Sequence, residues 1–96
     1  MLHALDALGS PLRRAILREL RATPLSVAEI AERMPVSRPA ISRHLSVLQQ
    51  AGLVDVREAG TRNIYSIRMQ GFASVREFLD DFWETAFARL EELSKK

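Results

Sequence analysis

The sequence predicts a mainly α-helical domain with one small β-hairpin, and three observations predict it. Residues 26–53 read as two short helices joined by a tight turn, because apolar side chains recur at helical spacing on either side of Pro35. Residues 54–67 alternate apolar and polar side chains around Gly60, the pattern of a hairpin. Residues from about 72 to 94 carry an apolar side chain every three or four positions, as one long helix does. At 96 residues the chain is read as a single domain, 1–96, near the size at which association commonly adds stability.

Met1 to Leu8 is expected to form a short helix carrying Leu2, Leu5 and Leu8, stopped at Gly9. Ser10 and Pro11 supply an N-cap and a first-turn proline for a helix running to about Ala22. Leu12, Ala15, Ile16 and Leu20 make its inward stripe. Arg13, Arg14, Arg18 and Arg21 lie off that stripe and read as a solvated face, with a phosphate contact near the helix start as the alternative. Thr23-Pro24-Leu25 is a connector with room for one strand residue pairing to the hairpin. Ser26, with Glu29 three residues on, is a capping box, after which Val27, Ile30, Ala31 and Met34 form one apolar face. Pro35 ends this helix, since proline cannot continue the ladder and drives its predecessor out of the α region. Ser37 caps the next helix, Pro39 sits in its first turn, and Ile41, Leu45 and Leu48 are its buried stripe. Gly52 caps its C-terminus.

Two short helices in this arrangement, the second presenting short polar and basic side chains, are a helix-turn-helix. Rotating about 100° per residue from Ile41 turns Arg43 and Gln50 directly away from the stripe, with Ser42 and Ser46 on one flank and Val47 on the other. Arg38 and Pro39 lie at the N-terminal end, which enters the major groove first in this motif. From Ser37 to Gln50 there is no acidic residue, unlike an ordinary solvated helix with its stabilising Glu side chains.

In the hairpin, Val54 and Val56 alternate with Asp55 and Arg57, Ala59-Gly60-Thr61 is turn material, and Asn63 to Ile67 returns. Tyr65 and Ile67 share a face, and Ile64 breaks the alternation. The hairpin is a wing decorated by Arg57, Arg62 and Arg68, with Arg62 nearest the tip and suited to a minor-groove or backbone contact. In the last segment, opened by Gly71, the stripe is Phe72, Val75, Leu79, Phe82, Ala86, Leu90 and Leu93, widened by Phe78, Trp83 and Phe87. Five of the six aromatic residues sit here, too broad a face for one small core to cover. The simplest cover is the same helix from a second copy related by a two-fold axis.

Net charge is only +2, but residues 1–70 carry +4 and residues 71–96 carry −2. All ten cations of the first part are arginine, the side chain shaped for phosphate and guanine. No 18-residue apolar run or signal peptide is present, and the absence of cysteine excludes disulfides and thiolate metal sites and fits a cytoplasmic home.

The segment SRPAISRHLSVLQQAGLV resembles the recognition helix of the ArsR-type (arsenic-repressor-like) winged helix-turn-helix transcriptional regulators. LDALGSPLRRAILREL upstream and VREAGTRNIYSI downstream match that family's pattern, so the resemblance spans essentially the whole chain and is most specific in SRPAISRHL. It implies a recognition segment of Ser37, Arg38, Ala40, Ser42, Arg43 and His44, which Pro39 and Ser46 join by their place on the helix, and wing residues Arg57, Arg62 and Asn63 complete the expected DNA contact. It also implies a dimer through the first and last helices, here Leu2, Leu5, Phe72, Val75, Leu79, Phe82, Trp83, Ala86 and Leu90. The family's metal sensors use cysteines near the first helix of the motif, or His and Asp on the last helix. Here the first place reads TPLSVAEIA and the last helix has Asp80, Asp81 and Glu84 but no histidine, so the chain resembles the thiol-free branch.

No catalytic constellation is found: His3 and His44 are the only histidines, with no phosphate loop, Ser/His/Asp set or paired-His metal motif. His44, beside the buried stripe, is expected to make an orienting hydrogen bond. The resulting expectation is a cofactor-free, non-enzymatic, homodimeric repressor that binds a two-fold operator in double-stranded DNA. Arg43 and then Arg38 are the candidates for bidentate guanine contacts. A winged-helix protein-interaction module is one alternative. Another is a sensor holding an organic molecule between the aromatic C-terminal helix and the core.

Overall fold

The computed structural model describes residues 3–95, so the expectations for Met1 and Leu2 lie outside the described residues. Along the chain run α1 (Ala4–Ala7), α2 (Pro11–Leu20), β1 (Leu25–Ser26), α3 (Val27–Arg33), α4 (Arg38–Gln50), β2 (Val54–Ala59), β3 (Arg62–Ile67), a 3-10 turn (Met69–Phe72) and α5 (Ala73–Ser94).

Local chemistry sets the helix ends. The Ser10 hydroxyl accepts from the Arg13 N–H at 3.2 Å, with Pro11 opening α2. Ser26 and Glu29 close the capping box reciprocally: Ser26 N–H donates to Glu29 Oε1 at 2.9 Å, and Glu29 N–H donates to Ser26 Oγ at 3.2 Å. Before Pro35, Met34 is extended (φ −136°, ψ 142°) and α3 stops at Arg33. Helix α4 ends in a Schellman motif built on Gly52 at φ +77°. The Leu53 N–H reaches the Leu48 carbonyl at 3.0 Å, the Gly52 N–H reaches that of Gln49 at 3.0 Å, and both leucines are fully buried. Helix α2 is shorter than its periodicity suggests, ending at Leu20, and its most buried residues are Ile16, Leu17 and Leu20. Leu17 takes the depth expected of Leu12 and Ala15, which are only half-buried.

In α1 the two alanines, Ala4 and Ala7, face the core, and Leu5 is left exposed. Arginines secure this short helix. Arg13 Nε donates to the Ala7 carbonyl and Arg14 Nη1 to that of Leu8, each at 2.7 Å, and so satisfy acceptors at its C-terminal end. Arg13 and Arg14 therefore do not form the freely solvated face the sequence suggests.

The sheet is three-stranded and antiparallel in the order β1-β3-β2. Its register pairs Val54 with Ile67, Val56 with Tyr65 and Leu25 with Tyr65, so these five share the face turned to the helices. The connector contributes two strand residues, Leu25 and Ser26, rather than one. On the other face of β3 Ile64 is buried too, outside the main core cluster, where α3 lies against the strand. Burial on both faces of β3 explains the broken alternation. Ala59 pairs with Arg62, which leaves Gly60-Thr61 as a two-residue turn; Gly60, at φ +66°, takes the position where such turns need glycine.

The core joins Ala4, Ala7, Ile16, Leu17, Leu20, Leu25, Ile30, Ile41, Leu45, Leu48, Leu53 and Val54. Only Phe72 and Val75 near the start of the last segment pack against it. Beyond them α5, a helix of 22 residues or about 33 Å in all, runs on as an arm with no buried residue. Gly71 makes the junction possible: a Cβ there would overlap the Gly52 carbonyl oxygen and lie 2.7 Å from its carbon. The arm thus leaves the head against the C-terminus of α4, where no side chain fits.

Candidate nucleic-acid interface

Helix α4 is held by its stripe, since Ile41, Leu45 and Leu48 are fully buried. That fixes the opposite side outward. Ser37, Arg38, Pro39, Ser42, Arg43 and Ser46 are exposed, and Ala40 and His44 are half-buried at the edges. The Ser37 hydroxyl accepts from the Ala40 N–H at 3.3 Å, and the first turn carries no acid. The positive end of the helix dipole is consequently uncompensated beside Arg38, a favourable place for a phosphate.

His44 points back toward the core, with Nδ1 accepting from Arg13 Nη1 across 3.5 Å. Burial, and after it the Arg13 and Arg43 guanidinium groups, holds this imidazole below its ordinary pKa of 6.5, so it is neutral at pH 7. The expected orienting bond is therefore made to α2. Only Nε2 is left for a contact outside the head, which narrows the recognition role carried over for His44. Arg13 links the α1 carboxyl end, α2 and α4, a role no sequence motif announces.

On the wing, Arg57, Arg62 and Asn63 are exposed. Arg62 and Asn63 also line a small hollow with Ser26, Val27 and Ala28, so the wing's end lies beside the start of α3. The Glu29 carboxyl is held below its ordinary value, first by the Ser26 backbone N–H, then by its hydroxyl, with smaller contributions from Arg62 and Arg33. Glu58, opposite Asn63, is an exposed acid on the same hairpin that the charge pattern did not single out. Arg68 is not a wing contact: its Nη1 donates to the Gly52 carbonyl at 3.3 Å and its Nε lies 4.0 Å from Asp55. Its aliphatic stem and head group are spent where the wing meets the end of α4.

Of the ten arginines of the head, four have partners within the fold and six have none among the described residues, two of these, Arg18 and Arg21, lying at the end of α2. Arg13, Arg14, Arg33 and Arg68 are engaged within the fold, Arg33 through Glu19 at 3.5 Å. Arg38, Arg43, Arg57 and Arg62 form no ion pair or side-chain hydrogen bond among the described residues. These four stand on α4 and the wing. Among the described residues no three His, Asp or Glu side chains gather to hold a metal ion. The residues assigned to dimer contact lie along the arm and α1: Leu5, Leu79, Phe82, Trp83 and Leu90 are exposed, with Phe82 and Trp83 each 54% accessible. Ala86 is exposed too, whereas Phe72 and Val75 are partly used by the chain's own core.

A three-stranded sheet ending in a wing, packed on a helix-turn-helix, defines a winged helix-turn-helix protein. Residues 8–57 match the helix-turn-helix domain family. The chain is 47% identical over 91 residues to the HTH-type transcriptional regulator Rv2034 of Mycobacterium tuberculosis, covering 95% of this chain and 85% of that protein. A crystal structure described as a possible transcriptional regulator for arsenical resistance superposes with a TM-score of 0.83 at 37% identity, covering 96% of each chain. The homodimeric winged helix-turn-helix DNA-binding domain of Mb0332 from Mycobacterium bovis, a possible ArsR-family regulator, superposes with a TM-score of 0.65 at 31% identity, covering 79% of this chain and 74% of that one. The chain belongs to the ArsR-type winged helix-turn-helix family, whose members are DNA-binding regulators of transcription and not enzymes.

Proposed function

We propose that this protein is a homodimeric repressor that binds a two-fold operator in double-stranded DNA. The observation that carries the reading is the acid-free outer face of α4, with Arg38 and Arg43 unpaired and the helix N-terminus beside them. In this reading the N-terminal half of α4 enters the major groove. Arg43, and next Arg38, donate in bidentate fashion to guanine, and Ser37, Pro39, Ala40, Ser42, His44 and Ser46 complete the contact. Arg57, Arg62 and Asn63 grip the backbone or minor groove and set position rather than sequence.

The arm supports the dimer. Phe78, Leu79, Phe82, Trp83, Phe87, Leu90 and Leu93 are 46–67% exposed along one helix, a contiguous apolar surface that a two-fold copy would cover together with Leu5 of α1. A dimer of this kind places two α4 helices on successive half-sites, so the operator repeats the protein's two-fold symmetry. Among the described residues, the DNA face and the apolar arm are the two surfaces whose chemistry calls for a macromolecular partner. Occupation of the operator is then the means of control, and in the repressor reading it blocks transcription from the site it covers. It would act in the cytoplasm with the DNA it regulates. Fluorescence anisotropy with a duplex selected from genomic fragments tests the reading. The expected result is tight binding that falls steeply with salt and prefers the selected site over random DNA by at least a hundredfold. Binding without sequence preference, or none at low salt, contradicts it.

A further inference from the structure

His44 has a partner of an unusual kind. A histidine Nδ1 bonded inside a protein often donates its hydrogen to a carbonyl or a carboxylate, which leaves Nε2 as an acceptor. Here the group opposite Nδ1 is Arg13 Nη1, at 3.5 Å, and a guanidinium can only donate. No carboxylate forms an ion pair with the ring among the described residues. A hydrogen on Nδ1 would point at a cation, so Nδ1 carries the lone pair and Nε2 the hydrogen. Burial first, then the charges of Arg13 and Arg43, keeps the ring in its neutral form at pH 7, where the distinction between tautomers applies.

Arg13 is itself held from both ends. Its backbone N–H donates to the Ser10 hydroxyl at 3.2 Å, and its Nε donates to the Ala7 carbonyl at 2.7 Å. The guanidinium is therefore in place before any DNA arrives. His44 follows Arg43 by one residue, a rotation of about 100° from the outward side of α4 toward α2. A half-buried side chain on that flank meets the wall of a groove rather than its floor, and the wall is the sugar–phosphate backbone. Phosphate oxygens accept hydrogen bonds and cannot donate them. An Nε2–H suits such an oxygen, whereas the other tautomer would set one lone pair against another.

We propose that Arg13 is a positioning residue for DNA binding, fixing the His44 tautomer so that Nε2–H donates to a phosphate oxygen at the edge of the major groove. The phosphate contact rests on the DNA-binding reading above; the tautomer does not.

Imidazole 15N shifts of the DNA-free protein at pH 7 report the tautomer, and anisotropy of the selected duplex at fixed ionic strength reports the contact. The wild type should show a bare Nδ1 and a protonated Nε2, and Arg13→Met should move both shifts toward a mixture. A protonated Nδ1 in the wild type, or identical shifts in the two proteins, overturns the positioning role. His44→Phe should weaken duplex binding about tenfold, the loss of one hydrogen bond to a charged group, and Arg13→Met somewhat less. The double variant should lose no more than His44→Phe alone, because Arg13 acts through the ring; additive losses overturn the proposal. Arg13→Lys gives up the bond to Ala7 but keeps a donor for Nδ1, so it should restore the shifts and most of the affinity. Equal losses for the Lys and Met variants would assign Arg13 to bracing α1 alone and overturn the role. Should Arg13→Met fail to fold, the wild-type shifts and the Lys variant still decide. Methylphosphonate replacement along the duplex should find a phosphate in each half-site whose neutralisation leaves His44→Phe without further cost, and finding none overturns the phosphate partner. Failure of the wild type to bind any duplex sinks the DNA reading instead, while the imidazole shifts still decide the tautomer.

Discussion

The head and the arm of this molecule use apolar side chains in opposite ways. In the head, Ile16, Ile30, Ile41, Leu45, Leu48 and Leu53 are fully buried, and the exposed surface of α4 is polar and basic. In the arm, no residue from Ala73 to Ser94 is buried, although five of the six aromatic residues lie on or next to it. Edge-to-face packing of Trp83 on Phe87, with ring centroids 4.5 Å apart, and tilted packing of Phe78 on Phe82 at 5.1 Å keep these rings together without hiding them. The head closes its own core. The arm presents a surface that only another molecule can close, and the DNA-binding reading needs both.

Breaking the arm should have the largest effect. Phe82→Glu with Trp83→Glu should yield monomers whose head keeps its helical signal, with selected-duplex affinity down a hundredfold or more. Sedimentation of a stable dimer by this variant would separate dimerisation from the apolar face. Damage to the head should read out as lost stability instead. Leu45→Ala removes a fully buried side chain and should cost about 2–5 kcal/mol by denaturant unfolding. Gly71→Val should be comparably harmful, because its Cβ would collide with the Gly52 backbone at the point where head and arm join.

Within the head, α4 and the wing can be told apart. Arg43→Ala should cost about 1–3 kcal/mol on the selected duplex and less on random DNA. Arg62→Ala should weaken both alike and flatten the salt dependence. Equal losses for Arg43→Ala on the two DNAs would mean that another side of α4 faces the bases.

Much of this contrast is legible in the residues. Ser10, Ser26 with Glu29, Ser37 and Gly52 each announce a helix end, because capping is a local interaction that a short window contains. The stripe Ile41-Leu45-Leu48 likewise fixes which side of α4 is outside. What the sequence hides depends on distant neighbours. Ile64 looks misplaced until β3 proves to be packed on both faces, and Arg68 reads as a wing cation until its partner, Gly52, comes beside it in space. Arg13 is the clearest case, since nothing in PLRRAIL says that its guanidinium reaches Ala7 and His44. In α1 the leucines stand out in sequence, yet Ala4 and Ala7 face the core and Leu5 is exposed.

The smallest expected effect is on pH dependence. Glu29 has a lowered pKa in the folded protein, so its contribution to stability is present above its unfolded value of 4.5 and fades as pH falls through the folded value. His44 is also lowered, so the unfolded chain binds a proton more readily and stability declines as pH falls below 6.5. Unfolding curves from pH 7 to 3 should show both losses. Ser26→Ala should reduce the one that sets in near the ordinary Glu value of 4.5, and His44→Gln the one that sets in below pH 6.5.

The most direct test of the central claim is the mass of the complex formed with the selected duplex, measured by sedimentation at low micromolar protein. An α4 that reads DNA and an arm that pairs two chains predict two chains per duplex, and a free protein that is already a dimer. One chain per duplex, with a well-folded monomer in solution at the same concentration, would contradict the account.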